Sequence, residues 1–264
     1  MKEALMNNSE TNENGDELIF NDLFINKVYT KKEVECCGLS VNLYVLNSAS
    51  TDYDLTGQVI WPAAKMLTRY IVNNSNIYDP NNPILEVGSG VGVCGLFLAR
   101  LGKRCILSDY NDIVVDLLKM NIEQSTKDGY PTCECIKLDW SNQSDIENTF
   151  KQSTNSEGFD TIIGSDVVYW QSSIEPLFQT VNQLLSHKES SSFILCYQSR
   201  SSQTDQYLID KSVEYGFIHY LVPTDTIFKV DQSSTTENQT SLLIEDEYLL
   251  SIMKFIIFKR KPTQ

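Results

Sequence analysis

Residues Pro83–Asp109 read PILEVGSGVGVCGLFLARLGKRCILSD, and this stretch decides the fold. Ile84, Leu85 and Val87 make a short apolar run with the character of a buried strand. Gly88, Gly90 and Gly92 interrupt it, and Val93 to Leu101 carries helical apolar spacing. Arg104 to Asp109 returns as a second apolar strand that ends on an acid. Strand, glycine-rich turn, helix, strand and acid make a βαβ unit of the kind that holds an adenosine-containing ligand. The glycines let backbone N–H groups approach the ligand with no Cβ in the way. A carboxylate at the end of the second strand offers two acceptor oxygens to the ribose hydroxyls.

Two details choose among ligands. A dinucleotide turn follows G-x-G-x-x-G/A and seats the pyrophosphate on the helix N-terminus. Here the last position of that pattern is Val93, and the run reads instead acid-x-Gly-x-Gly-x-Gly from Glu86. A carboxylate at Glu86 repels a pyrophosphate but suits a cationic ligand bearing an ammonium group. S-adenosylmethionine (SAM) carries an ammonium and a sulfonium and no phosphate. The stretch resembles motif I of the class I SAM-dependent methyltransferases. That resemblance implies Glu86, Gly88 and Gly90 at the cofactor and Asp109 on its ribose.

Composition narrows the partners. The chain has 264 residues, enough for one α/β domain with modest additions. Its formal net charge of -14 argues against nucleic acid, whose phosphates need clustered Lys and Arg. The same charge is compatible with a basic or Lys-presenting protein, and also with simple solubility. Seven cysteines, with neither C-x₂-C pairs nor companion His residues, give no metal site and fit a reducing compartment. No signal pattern opens the chain, and its longest apolar run, Tyr248 to Phe258, contains Lys254. A cytoplasmic protein, with the nucleus as an alternative and no membrane partner, is the expectation.

In chain order, residues 1 to 20 are Asn/Glu-rich and read as a disordered acidic arm; 21–264 reads as a single domain. Leu23 to Tyr29 and Leu39 to Leu46 alternate apolar and polar residues, an antiparallel pair ahead of the main sheet. Trp61-Pro62 opens a helix, with Pro suited to its first turn. A helix follows from Asn111, a third strand from Cys133 to Trp140, and a fourth from Phe159 to Asp166. Ser172 with Glu175 forms a capping-box signature for the next helix. Ser192 to Tyr197 is a fifth strand, Thr204 to Tyr215 a helix, and Phe217–Val222 and Tyr248–Lys259 a closing pair of strands. Between these, 223–247 is polar and acidic and reads as a mobile loop insertion. Strands alternating with helices give a mostly parallel sheet covered on both faces.

Two further stretches concern chemistry. Trp140, just past the third strand, can lay its ring on adenine. Gly164-Ser-Asp-Val-Val-Tyr169 ends the fourth strand, at the sheet edge where ligands sit in open α/β folds. Asp166 and Tyr169 are three apart, so one turn can aim both into one pocket. Together with Gln58-Val-Ile-Trp61, Glu86-Val-Gly-Ser-Gly-Val-Gly92 and Leu138-Asp-Trp140, this resembles the seven-strand protein-lysine methyltransferases with a D-x-x-Y signature. The resemblance covers about residues 57 to 200, although many members have Trp-Asp where this chain has Trp61-Pro62.

It implies a Rossmann-like class I fold of seven strands, the last antiparallel, and a monomer. It implies SAM as cofactor, held by Trp61, Glu86, Gly88, Gly90, Asp109, Trp140 and Asp166, with Asp166 and Tyr169 catalytic. The implied reaction methylates a lysine of a folded protein, of translation-factor or chaperone class. Such transfer needs positioning and a dry pocket more than covalent help. With only His187 and His219 in the chain, a His base is not expected. A histidine or small-molecule acceptor uses the same cofactor half, and a non-catalytic module can keep the same fold. A nucleic-acid amino-methyltransferase shows Asn/Asp-Pro-Pro-Tyr, and Asp166-Val-Val-Tyr169 lacks those prolines.

Overall fold

The computed structural model describes residues 28–48, 53–78, 82–131, 133–228, 240–241 and 246–262. The N-terminal arm lies outside them, as does most of the 223–247 segment. β3 (Ile84–Val87) is central and fully buried, and it pairs in parallel with β4 (Cys105–Asp109) and β6 (Thr161–Ser165). β5 (Glu134–Lys137) extends one side; β7 (Ser192–Gln198), β10 (Met253–Arg260) and β8 (Phe217–Leu221) extend the other. The order of this seven-stranded sheet is β5-β4-β3-β6-β7-β10-β8, and β10 runs antiparallel to both its neighbours. This is the expected Rossmann-like sheet, with its single reversed strand.

Helices cover both faces because strand residues alternate between them. Leu85 and Val87 pack with α4 (Gln143–Phe150), α5 (Gln171–Leu184) and α6 (Ser202–Glu214). Ile84 points the other way, into a core shared with α1 (Pro62–Asn73), α2 (Val93–Arg100) and α3 (Asp112–Lys127). Asn111 caps α3, its side chain accepting from the N–H groups of Ile113 and Val114. No helix among the described residues is long and apolar enough to cross a membrane.

The N-terminal hairpin lies on the α1–α3 side, but its first strand is displaced from the sequence expectation. β1 is Thr30–Cys36, not Leu23–Tyr29, of which only Val28 and Tyr29 are described and neither is in a strand; β2 is Leu39–Val45. The turn fixes this register: Cys37 and Gly38 both take positive φ, 51° and 77°, and pair Cys36 directly with Leu39. Val34, Cys36, Val41 and Leu43 then all face the core. Asn121 of α3 ties the hairpin to the glycine turn, bonding both backbone groups of Tyr44 and the carbonyl of Val91.

Two further expectations are corrected. Ser172 does not cap α5: that helix begins at Gln171, with Trp170 at the cap position and no side-chain bond there. Glu175 instead pairs with Lys211 of α6, and Ser173 bonds the Trp170 carbonyl. Tyr248 lies in a short helix, α8 (Glu247–Ile252), started by Asp246, and the strand begins only at Met253. The described parts of 223–247 are structured: α7 (Thr224–Phe228) buries Ile227 against α1, and β9 (Thr240–Ser241) adds in parallel to β1. Arg69 of α1 donates to the Ile227 carbonyl.

Candidate active site

A cavity of about 450 Å³ opens at the C-terminal ends of β3, β4, β5 and β6. Gly88, Gly90, Asp109, Trp140, Asp166 and Tyr169 all line it, as does Trp61. The size is that of a small-molecule site, at the sheet edge where such folds bind ligands. Of the residues singled out in the sequence, only Glu86 is not part of its wall.

The glycine turn shapes the floor. Gly90 has φ +53°, and a Cβ there would stand 2.8 Å from the carbonyl oxygen of Gly57. Only glycine meets both demands. The loop of Thr56 and Gly57 thus rests on the turn, and Trp61 is held to it by an indole N–H donated to the Thr56 carbonyl at 2.9 Å. Gly88, φ +60°, sits under Val167 and near Trp140: an added Cβ would meet them at 2.6 and 3.8 Å.

Glu86 stands behind the cavity wall. It alternates with Leu85 and Val87, so its side chain turns onto the α2 side of the sheet. There its Oε2 accepts the N–H of Gly95 in the first turn of α2 at 3.0 Å, where the helix dipole favours an anion. Its other oxygen, Oε1, has no hydrogen-bond partner among the described residues. Burial pushes its carboxyl up to about 7, against the lowering effect of the Gly95 N–H.

Asp109 ends β4 and is almost fully buried. Its Oδ2 accepts from Gly90 N–H at 3.0 Å, and its Oδ1 from Tyr110 N–H at 2.8 Å and Asn111 N–H at 3.4 Å. Burial raises its carboxyl, and these N–H groups act against the rise. Acid and glycine turn are therefore one bonded unit.

Asp166 follows β6 with φ +54°, a left-handed conformation that Asp tolerates better than most residues. Its N–H donates to the Cys196 carbonyl at 2.8 Å, and its Oδ1 accepts from Gln198 N–H at 3.1 Å. Oδ2 is buried and accepts no hydrogen bond, though a terminal guanidinium nitrogen of Arg200 lies 3.6 Å away. Burial raises this carboxyl as well, with Gln198 and Arg200 opposing. The Arg200 guanidinium also lies over the Tyr169 ring, 4.0 Å from its centroid, and Trp170 meets Tyr169 edge-on at 4.7 Å.

Sequence reasoning missed Arg200 and Trp170. Arg200 lies just past the end of β7, the strand beside β6, so the sheet-edge rule that found Asp166 applies to it equally. Trp170 lines the cavity next to Tyr169.

The fold and the cavity define a class I methyltransferase architecture. The 16S rRNA N2 G1207 methyltransferase RsmC of T. thermophilus, solved with AdoMet and guanosine, superposes with a TM-score of 0.54 at 13% identity, over 89% of this chain and 52% of that one. SMU.776, a putative methyltransferase solved with SAH, gives 0.53 at 14% identity, over 87% and 56%. A family model described as lysine methyltransferase matches residues 42–213, and the chain belongs to that family. Calmodulin-lysine N-methyltransferase of Arabidopsis thaliana is 25% identical over 74% of this chain and 62% of its own length. Protein N-lysine methyltransferase METTL21A of Xenopus tropicalis is 28% identical over 49% and 56%, and the histone-arginine methyltransferase METTL23 of Mus musculus 28% over 55% and 54%. The chain thus spans between half and two thirds of the length of these relatives.

Proposed function

We propose that this chain is a SAM-dependent protein N-methyltransferase that modifies a lysine side chain on a folded protein. The observation that carries the reading is one cavity whose lining includes two acids with different surroundings, Asp109 fastened to the glycine turn and Asp166 beside Tyr169, with Asp139 a third acid in the wall. The residues present fit the cofactor: Asp109 stands where a ribose needs an acceptor, and its Oδ2, with one N–H partner, keeps a lone pair to offer. Gly88 and Gly90 present bare backbone to the cavity, and Trp140 offers a flat face near Gly88. When bound, SAM supplies a methyl group activated by its sulfonium.

The chain's own residues handle the acceptor. Asp166 draws an ammonium by charge-assisted hydrogen bonding to its open Oδ2. Tyr169 and Trp170 wall the approach and exclude water. A lysine must lose its proton before attack, from an ordinary pKa of about 10.4, and desolvation against those rings favours the neutral amine. Neither His187 nor His219 lines the cavity, so positioning, not an imidazole base, is the chain's contribution.

The finer assignments belong to the same proposal. A substrate of translation-factor or chaperone class and a monomeric enzyme rest on the D-x-x-Y resemblance. Residence in the cytoplasm or nucleus is supported by seven free thiols. The net charge of -14 supports a protein acceptor over nucleic acid.

Tritium transfer from labelled SAM into a whole-cell lysate tests the reading. A labelled protein band whose mass spectrum places the methyl on lysine is the expected result. Label confined to small molecules, or methyl on histidine or arginine, overturns it.

A further inference from the structure

Arg200 occupies an unusual position. Its guanidinium makes the two contacts that the proposed lysine ammonium needs, a face of Tyr169 at 4.0 Å and the Asp166 carboxylate at 3.6 Å. We infer that Arg200 is a specificity-determining residue that occupies the acceptor's cation seat in the resting protein and swings out when substrate enters. The inference rests on the lysine-methyltransferase reading of the cavity and adds to it a competitor carried in the same chain.

Three observations support the exchange. The resting contact is incomplete: at 3.6 Å the guanidinium is too far to hydrogen-bond, and Asp166 Oδ2 stays buried with no donor. An incoming ammonium that reaches hydrogen-bond distance satisfies that oxygen, so exchange gains a charge-assisted bond. The backbone around Arg200 is anchored on both sides. Ser199 donates its N–H to the Ile252 carbonyl at 2.8 Å and its hydroxyl to Asp205 at 2.7 Å. Ser201 caps α6 by accepting the Thr204 N–H at 3.1 Å. Only the side chain is left to move, and about a third of it already faces solvent, with 29% exposure. Rotation of an Arg side chain into water needs no backbone change.

The arrangement also selects. A small or weakly bound cation does not recover what the guanidinium gives up over Tyr169. An acceptor that brings protein contacts of its own, together with a long stem carrying the charge, does.

The test uses n-butylammonium as the probe, titrated into the full chain saturated with S-adenosylhomocysteine and followed through the Trp indole N–H resonances. If Arg200 holds the seat most of the time, Arg200→Gln should bind the probe about tenfold more tightly than the native protein. Arg200→Lys keeps a tethered cation and should gain little. Asp166→Asn placed on Arg200→Gln should abolish the gain. A merely structural Arg200 predicts the reverse: Gln lowers the melting temperature and leaves probe affinity equal or weaker, which overturns the inference. Equal gains for Gln and Lys, or a gain that survives Asp166→Asn, overturn it too. A native protein that binds no S-adenosylhomocysteine overturns the methyltransferase reading itself. Cofactor binding without a gain in Arg200→Gln overturns only the competitor.

Discussion

Asp109 ends, and Asp166 directly follows, strands that flank the same central strand, and both carboxyls are buried and raised above the ordinary range. Their partners differ. Asp109 is held by three backbone N–H groups, two from its own turn and one from the glycine turn. Asp166 has one backbone N–H, a distant guanidinium and an oxygen with no donor. A carboxylate supplied entirely by the main chain is a fixed fitting, shaped with the fold. One left short of donors in a cavity wall is open to a partner from outside. The first suits a cofactor common to many enzymes, and the second a substrate particular to one.

Four experiments can break or sharpen that contrast. Asp166→Asn keeps the shape, tolerates the positive φ, and still accepts from Gln198, so the protein should fold. Losing the charge should cut kcat/KM for the protein acceptor by about 100-fold, the scale of a charge-assisted hydrogen bond, while S-adenosylhomocysteine affinity holds. A stable, fully active variant would remove Asp166 from the chemistry. Asp109→Ala should do the opposite and weaken SAM binding by about 1.5–3 kcal/mol in a calorimetric titration. An unchanged dissociation constant would move the ribose site elsewhere.

Tyr169 distinguishes wall from donor. Tyr169→Phe keeps the ring and should stay within about twofold of native turnover, whereas Tyr169→Ala should lose about tenfold, the worth of a cation–π face. Matching losses in both variants would assign the role to the hydroxyl.

The smallest effect is in pH dependence. Burial raises the Asp166 carboxyl, so the acid limb of kcat/KM should lie above the ordinary aspartate range, with activity lost as pH falls through it. Arg200 lowers that carboxyl, so Arg200→Gln should move the limb to still higher pH. A limb that moves down, or does not move, would show that the pair is not coupled.

The cofactor half was largely legible because its chemistry is local in the chain. Glycines, strand and acid fall within Pro83–Asp109, and the glycines that permit positive φ are visible as letters. Asp166 and Tyr169 were legible for the same reason, lying within one turn after a strand. Arg200 was not, since a single Arg amid Ser and Gln carries no pattern, and only sheet order brings β7 beside β6. The glycine motif marks Glu86, whereas strand alternation decides which face it takes. The displaced β1 has a similar origin. Lys31, Lys32 and Glu33 look like a polar break, yet a hairpin covering one face of a core has no use for apolar side chains on the other.

The glycine-to-glycine contact between residues 57 and 90 has a mechanical consequence. No side chain cushions it, so the stretch bearing Trp61 and the cofactor floor behave as one body. The linkage continues outward: Gln58 accepts the Leu46 N–H through its carbonyl and donates its amide to the Tyr29 hydroxyl, which joins the N-terminal hairpin to the same body. By thermodynamic reciprocity, any stiffening that the cofactor imposes on the hairpin must return as cofactor affinity when a partner protein stiffens the hairpin first. On the proposed function, a surface far from the cavity would then tune how tightly the methyl donor is held.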